Sequence, residues 1–111
     1  MLVARFDTNK DEKTFSLNII GHAEADEVGK DLVCASASML AYTLAYDVQI
    51  NEEMGVLDNV VVRLDSGDTE ISCHCKSDEA YNYMRRAYVV ISNGFLLLQS
   101  DYPENVTTIV W

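Results

Sequence analysis

The chain has 111 residues, enough for one hydrophobic core, and we expect residues 1–111 to form a single domain. Hydrophobic residues make up 49% of the chain and charged residues 23%, the composition of an ordinary globular domain. Its 18 acidic and 8 basic side chains give a net charge of −10. This charge argues against nucleic acid as a direct partner, since phosphate binding needs a surplus of lysine and arginine, and it suits a basic protein partner.

The chain carries no signal for a membrane or for export. It has no run of about 18 uncharged apolar residues, so we expect no membrane span. Residues 1–13 lack the apolar stretch of a signal peptide, and we therefore expect a cytoplasmic protein. Its three cysteines, an odd number, are then expected to be free thiols.

The first half of the chain predicts a hairpin followed by a helix. Residues 2–7 and 14–20 alternate in polarity around a polar turn, which predicts a β-hairpin. After an irregular stretch from 21 to 30, Asp31 stands at an N-cap position before a helical run over 32–49. Because this run is apolar on nearly all sides and rich in alanine, we expect the helix to be largely buried.

The second half repeats the arrangement and adds a strand. Residues 59–65 and 69–75 predict a second hairpin, and Ser77 is the predicted N-cap of a helix over 78–99. A β-branched run over 105–111 predicts the last strand. The order ββαββαβ predicts an α+β fold, a two-layer sandwich with two helices on a mostly antiparallel sheet.

One cysteine and one histidine are placed for nucleophilic catalysis. Cys34 falls in the first turn of the predicted first helix, where unpaired amides and the helix dipole stabilise a thiolate and an oxyanion. His22 ends the preceding strand, and the loop between them leads back to the helix start. Attack on a peptide carbonyl needs a thiolate, and a free thiol has a pKa of about 8.5, so a neighbouring imidazolium favours the reactive form.

The same residues also have simpler explanations. A cysteine in an alanine-rich helix is most often a small buried hydrophobe, and a histidine at a strand end is most often a surface or turn residue. Asp31 is either a plain helix cap or a group that also orients His22, and capping alone explains an aspartate there. The spacing by itself leaves both explanations of Cys34 and His22 open.

The segment Cys73-His74-Cys75 has metal-binding residue types but the wrong geometry. On a strand, the two cysteines point to one face and His74 points to the other. Their sulfurs would lie roughly 6–7 Å apart from the strand rise, whereas tetrahedral zinc holds each sulfur at about 2.3 Å. We expect no metal site here, and no cofactor for the chain.

The residues on both sides of the loop between His22 and Cys34 form a motif. It runs Gly21-His22-Ala23, then Gly29, then Asp31-Leu32-Val33-Cys34-Ala35, with Ser38 one turn further. This pattern resembles the signature of the ribosomal-processing cysteine protease Prp family, in which Gly-His-Ala is followed by a short loop and by Gly-x-Asp-hydrophobic-Val-Cys-Ala. The resemblance extends over the whole chain, including Tyr102-Pro103-Glu104-Asn105.

The resemblance implies a function and a site. Members are homodimeric bacterial proteases that remove a short N-terminal extension from a large-subunit ribosomal protein, which is a basic substrate. The family's nucleophile falls on Cys34 and its catalytic histidine on His22. Its substrate loop falls on Gly21, Ala23, Glu24 and Gly29.

The second predicted helix carries more apolar residues than one sheet can cover, which suits the implied dimer. Met84, Ala87, Ile91 and Leu98 form one stripe, and Tyr88, Phe95 and Leu96 lie off it.

Two alternatives remain beside the ribosomal substrate. The loop over 24–28 is more acidic than is usual in the family, and specificity would be set there. Prp-like proteins also occur in prophages, where the substrate would be a phage structural protein. The second alternative is a catalytically idle dimeric protein on the same fold that binds a basic partner.

Overall fold

A computed structural model describes residues 1–22 and 27–111, with the backbone alone for residues 27–31. Within these described residues, five strands and two helices follow in the order ββαββαβ, as predicted. They are β1 (Leu2–Asn9), β2 (Thr14–Gly21), α1 (Glu27–Glu53), β3 (Leu57–Asp65), β4 (Asp68–Cys75), α2 (Asp78–Asp101) and β5 (Val106–Val110). No helix within the described ranges combines the length and the apolarity that a membrane crossing requires.

The five strands form one sheet in the order β3-β4-β2-β1-β5. Both hairpins are antiparallel, and so is the pairing of β2 with β4 that joins them. β5 runs parallel to β1, which it reaches after the α2 crossover. The sheet is therefore mostly antiparallel, as the element order predicts.

One face of the sheet carries the core. Phe6 on β1 lies opposite Leu17 on β2, and Leu17 lies opposite Ile71 on β4. All three side chains are fully buried, and they share one hydrophobic cluster with side chains from both helices. The two helices thus cover the same face, which gives the predicted two-layer α+β sandwich.

α2 begins after the predicted cap, Ser77, but it buries more side chains than the apolar stripe predicted for it. The Ser77 hydroxyl accepts a hydrogen bond from the Ala80 amide at 3.1 Å. Tyr88 and Phe95, predicted as surplus surface, are fully buried, whereas Leu96 is exposed. That part of the prediction was wrong because Tyr88 lies one turn after the buried Met84 and shares its face.

α1 begins at Glu27, five residues before the predicted start. Asp31 consequently lies inside the helix, and the prediction that it caps the helix was wrong. Cys34 is the eighth residue of α1, so the prediction that it occupies the first turn was wrong as well. The physical reason is that the segment between Asp26 and Cys34 contains no proline, and its single glycine weakens a helix without stopping it.

α1 is also only half buried, contrary to the prediction that it is largely buried. One side packs on the core through small and branched residues, and the other side leaves large apolar residues in solvent. The buried residues are Val33, Ala37, Ala41, Leu44, Ala45, Val48 and Asn51; the exposed large ones are Leu32, Met39, Tyr42, Tyr46 and Ile50. A single sheet covers one side of a helix, so the other side keeps its apolar surface exposed.

Candidate active site

His22 and Cys34 line the same cavity, which has a volume of about 330 Å³. Cys34 reaches it from α1 and His22 from the residue directly after β2. The third wall is the turn between β3 and β4, residues 65–68. Three elements that are separate along the chain therefore meet at the two residues that the sequence singles out.

The end of β2 is tied to the β3–β4 turn beside His22. Gly21, the last residue of β2, has a φ of +91° and donates its amide to the carbonyl of Gly67 at 3.0 Å. Gly21 also lies against the Met1 carbonyl oxygen, where a Cβ would clash. This backbone link places His22 directly over the turn.

Cys34 stands on a helical ridge that forms one wall of the cavity. Ser38 and Tyr42 follow it at intervals of four residues, so the three side chains lie one above another on one face of α1. Cys34 is partly exposed, whereas Cys73 and Cys75 are buried, and all three thiols are free. Cys34 is therefore the thiol that solvent and a substrate can reach.

The rest of the cavity joins an apolar floor to an acidic rim. Leu2 and Ile19 are buried at its base, and Asp65 and Asp68 stand on the turn. Arg63 pairs with Asp68 at 2.9 Å and lies 3.8 Å from Asp65, whose side chain is the more exposed of the two carboxylates. Such a cavity can hold an apolar side chain at its base and attract a cation at its rim.

The β3–β4 turn is a part of the site that sequence reasoning missed. Ser66-Gly67-Asp68 predicts a hairpin turn, but nothing in its composition places it next to His22. The neighbouring carboxylates of Asp65 and Asp68 are typical of solvated turns. The only signal was the glycine, which also occurs where another group approaches the backbone closely.

The structure describes some of the predicted site residues only in part or not at all. Ala23 and Glu24 lie outside the described residues. Gly29 and Asp31 lie within α1, where the side chain of Asp31 is outside the described part, so its predicted contact with His22 stays a prediction. The unpaired amides of α1 lie about two turns before Cys34, so the structure does not place them as its oxyanion donors.

The second cysteine pair lies in the core, away from this cavity. Cys73 and Cys75 are buried while His74 points to the other face, as predicted, and bonds Asp58 at 2.6 Å. A hydrogen bond from Cys75 lowers the pKa of the Cys73 thiol, and the same interaction with burial raises that of Cys75. Among the described residues no three potential ligands cluster closely enough for a metal ion.

A reachable thiol and an imidazole on one cavity are the parts that thiol-dependent hydrolases use. The fold and the site together define the class as a small α+β protein with the thiol and imidazole groups of a thiol hydrolase. The family model for cysteine protease Prp matches residues 1–107 of the 111. The chain belongs to the cysteine protease Prp family, and it is an enzyme that hydrolyses peptide bonds.

Solved structures share the fold along the whole chain. The crystal structure of SMU.848 from Streptococcus mutans has a TM-score of 0.72 at 23% identity, covering 99% of this chain and 93% of that one. The essential ribosomal processing protease Prp from S. aureus, in complex with a covalently linked product peptide, has a TM-score of 0.68 at 20% identity, covering all of both chains. Its complex with a substrate peptide gives 0.68 at 19% identity with the same coverage. No curated protein matches the chain.

Proposed function

We propose that this protease removes a short N-terminal extension from a basic large-subunit ribosomal protein, with Cys34 as nucleophile and His22 as general acid and base. The observation that carries the proposal is that Cys34 and His22 line one cavity from two different elements. Membership of the Prp family supports the reaction class. The S. aureus protein of the same fold is described as a ribosomal processing protease and holds peptides, which supports the substrate class.

The two side chains account for every bond and proton of the reaction. His22 takes the proton of the Cys34 thiol as Sγ attacks the scissile carbonyl carbon, and then delivers it to the leaving amine as the C–N bond breaks. A thioester on Cys34 remains. His22 next takes a proton from water as the water oxygen attacks the thioester carbonyl. The C–S bond breaks and His22 returns that proton to the Cys34 thiolate, while the carboxylic acid product leaves and gives its own proton to solvent.

The walls of the cavity suit a peptide chain with basic residues. The ridge of Cys34, Ser38 and Tyr42 offers one side of a channel along α1, and the turn with Asp65 and Asp68 offers the other. The net charge of −10 attracts a basic protein over a longer range. A ribosomal protein has the charge that both features require.

The substrate is tested with the ribosomal protein itself. Incubation with the source bacterium's large-subunit protein that carries the extension is expected to shorten it by the extension alone, as read by mass spectrometry. The rate should fall severalfold when ionic strength rises from about 0.05 to 0.5 M, because screening weakens the attraction between unlike charges.

The matched control is the same ribosomal protein with its extension already removed, which should stay intact. An extended protein that remains uncut, while a phage structural protein is cleaved, would replace the ribosomal substrate by the prophage alternative. If neither is cut but the basic protein binds, the idle binding protein becomes the better explanation.

We further propose that the protease is a homodimer through the outer faces of α1 and α2. Tyr46, Val90 and Leu97 are each more than 60% exposed on these faces. The groove between the helices also contains Asp47 and Arg86, whose opposite charges can pair across a twofold axis. An exposed apolar surface of this kind is typical of an interface between proteins.

Replacing Val90 with glutamate is expected to convert the dimer to a monomer, because two buried carboxylates would face each other near the axis. The control is Ile109→Glu on β5, which changes an exposed branched residue away from this groove. Sedimentation velocity at micromolar concentration reads the result. A wild-type chain that sediments as a monomer, or a Val90→Glu variant that stays dimeric, would contradict this interface.

A further inference from the structure

We propose that the β3–β4 turn positions the catalytic imidazole, and that Gly67 is the positioning residue on which the His22 ring rests. This inference depends on the proposed role of His22 and adds a structural requirement to it. It concerns a residue that makes no bond to the reacting atoms. Gly67 would act by setting the position of the His22 imidazole ring.

The contact between Gly67 and His22 leaves no room for a side chain. A Cβ built on Gly67 would lie 2.7 Å from Nε2 of His22 and 3.0 Å from its Cε1. Both distances are shorter than the usual separation of nonbonded carbon and nitrogen atoms. The tip of the imidazole ring therefore lies too close to the position where any other amino acid would place its Cβ.

The turn under the ring is held in place from both sides. The carbonyl of Gly67 accepts the amide of Gly21 at 3.0 Å, which joins the turn to the end of β2. On the outer side, the guanidinium of Arg63 bonds Asp68 at 2.9 Å and Glu70 at 3.2 Å. A backbone fixed at both ends can define the position of a ring that is otherwise exposed.

A Cβ on Gly67 would therefore displace the His22 ring and not the turn. His22 is an exposed side chain with two rotatable bonds, whereas the turn is fixed by backbone and ion-pair contacts. A methyl group on Gly67 would push the imidazole out of its position and leave the turn in place. Small displacements of a catalytic group reduce rates strongly, by about 100-fold for 1 Å.

The chain supplies a matched control at Gly55. Gly67 has a φ of +75° and Gly55 a φ of +81°, so alanine meets similar backbone strain at both positions. A Cβ on Gly55 would find no atom of the described part of the chain within 4 Å, because the residue lies in open space before β3. The two alanine variants differ mainly in the contact with His22.

Gly67→Ala is expected to lower kcat/KM by about 100-fold for a synthetic peptide that spans the ribosomal-protein extension. Gly55→Ala should stay within about twofold of the wild type, and the two variants should lose a similar amount of thermal stability because they carry the same strain. If Gly67→Ala does not fold, Gly67→Asn is measured instead, since asparagine tolerates a positive φ better and still carries a Cβ.

A double-mutant cycle separates positioning from a general structural effect. Iodoacetamide is used to alkylate Cys34 in the wild type, in Gly67→Ala, in His22→Ala and in the double variant. Gly67→Ala should slow alkylation in the presence of His22 and have no further effect in its absence.

Two outcomes are distinguishable. A Gly67→Ala variant as active as Gly55→Ala, in a protein that His22→Ala inactivates, overturns the positioning role and leaves the proposed function standing. A His22→Ala variant with wild-type activity would instead remove the proposed function, and the positioning role with it.

Discussion

Replacing Cys34 with alanine is expected to abolish peptide cleavage and to leave the folded protein nearly unchanged. The variant has no group that can form the thioester, so kcat should fall at least about 10⁴-fold, as it does when a nucleophile is removed from other proteases. Cys34 is only partly buried and lines an open cavity, so the free energy of unfolding should change by less than about 1 kcal/mol. Cleavage assays and urea denaturation measure the two quantities.

Cys73→Ala is the matched control, with the opposite expected result. Cys73 is 3% exposed and lies 3.9 Å from the Tyr88 hydroxyl in the core, so this variant should lose about 1–2 kcal/mol of stability and keep its cleavage rate per folded molecule. Thiol titration gives an independent check: one thiol should react in the native chain and three after unfolding. A Cys34→Ala variant that still cleaves would contradict the assignment of the nucleophile.

Replacing His22 with alanine is expected to have the second largest effect. The proton that leaves Cys34 and later reaches the leaving amine would have no carrier, and general acid–base groups contribute about 10²–10⁴-fold to rates. Alkylation of Cys34 by iodoacetamide at about pH 6.5 should also slow at least tenfold, since no general base would then take the proton of the attacking thiol. The same reagent thus tests the pair without any knowledge of the cleavage sequence.

The chain contains one other histidine, and it serves as the control. His74 bonds Asp58 at 2.6 Å and lies outside the cavity that holds Cys34. His74→Ala should therefore leave both the alkylation rate and the cleavage rate within about twofold of the wild type. If the two histidine variants behave alike, or if native Cys34 reacts no faster than a free thiol, the chemistry does not depend on His22 and the proposed mechanism is wrong.

Local patterns in the sequence were sufficient for the element order and for several details of it. Alternation over 14–20 and the polar turn before it predict the first hairpin, which the structure contains as β1 and β2. Ser77 caps α2 as predicted, because an N-cap hydroxyl and the amide that it accepts from are only three residues apart. The opposite faces of Cys73 and His74 follow from the pleat of one strand.

The predictions that failed depended on what surrounds each segment. The start of α1 at Glu27 and the burial of Tyr88 were misjudged because the local sequence permits each of them without requiring it. A helix extends until a stop signal or a neighbour ends it, and a side chain is buried when a neighbour covers it. Both conditions are met in three dimensions.

The sequence by itself determined the succession of strands and helices and, through the motif around His22 and Cys34, the resemblance to the Prp family. The tertiary structure alone decided that the β3–β4 turn forms one wall of the cavity and that the His22 ring lies against Gly67. The physical reason is the range of the interactions. Periodicity and capping act over a few residues, whereas the contact between Gly67 and His22 depends on the pairing of β2, in the first hairpin, with β4, in the second.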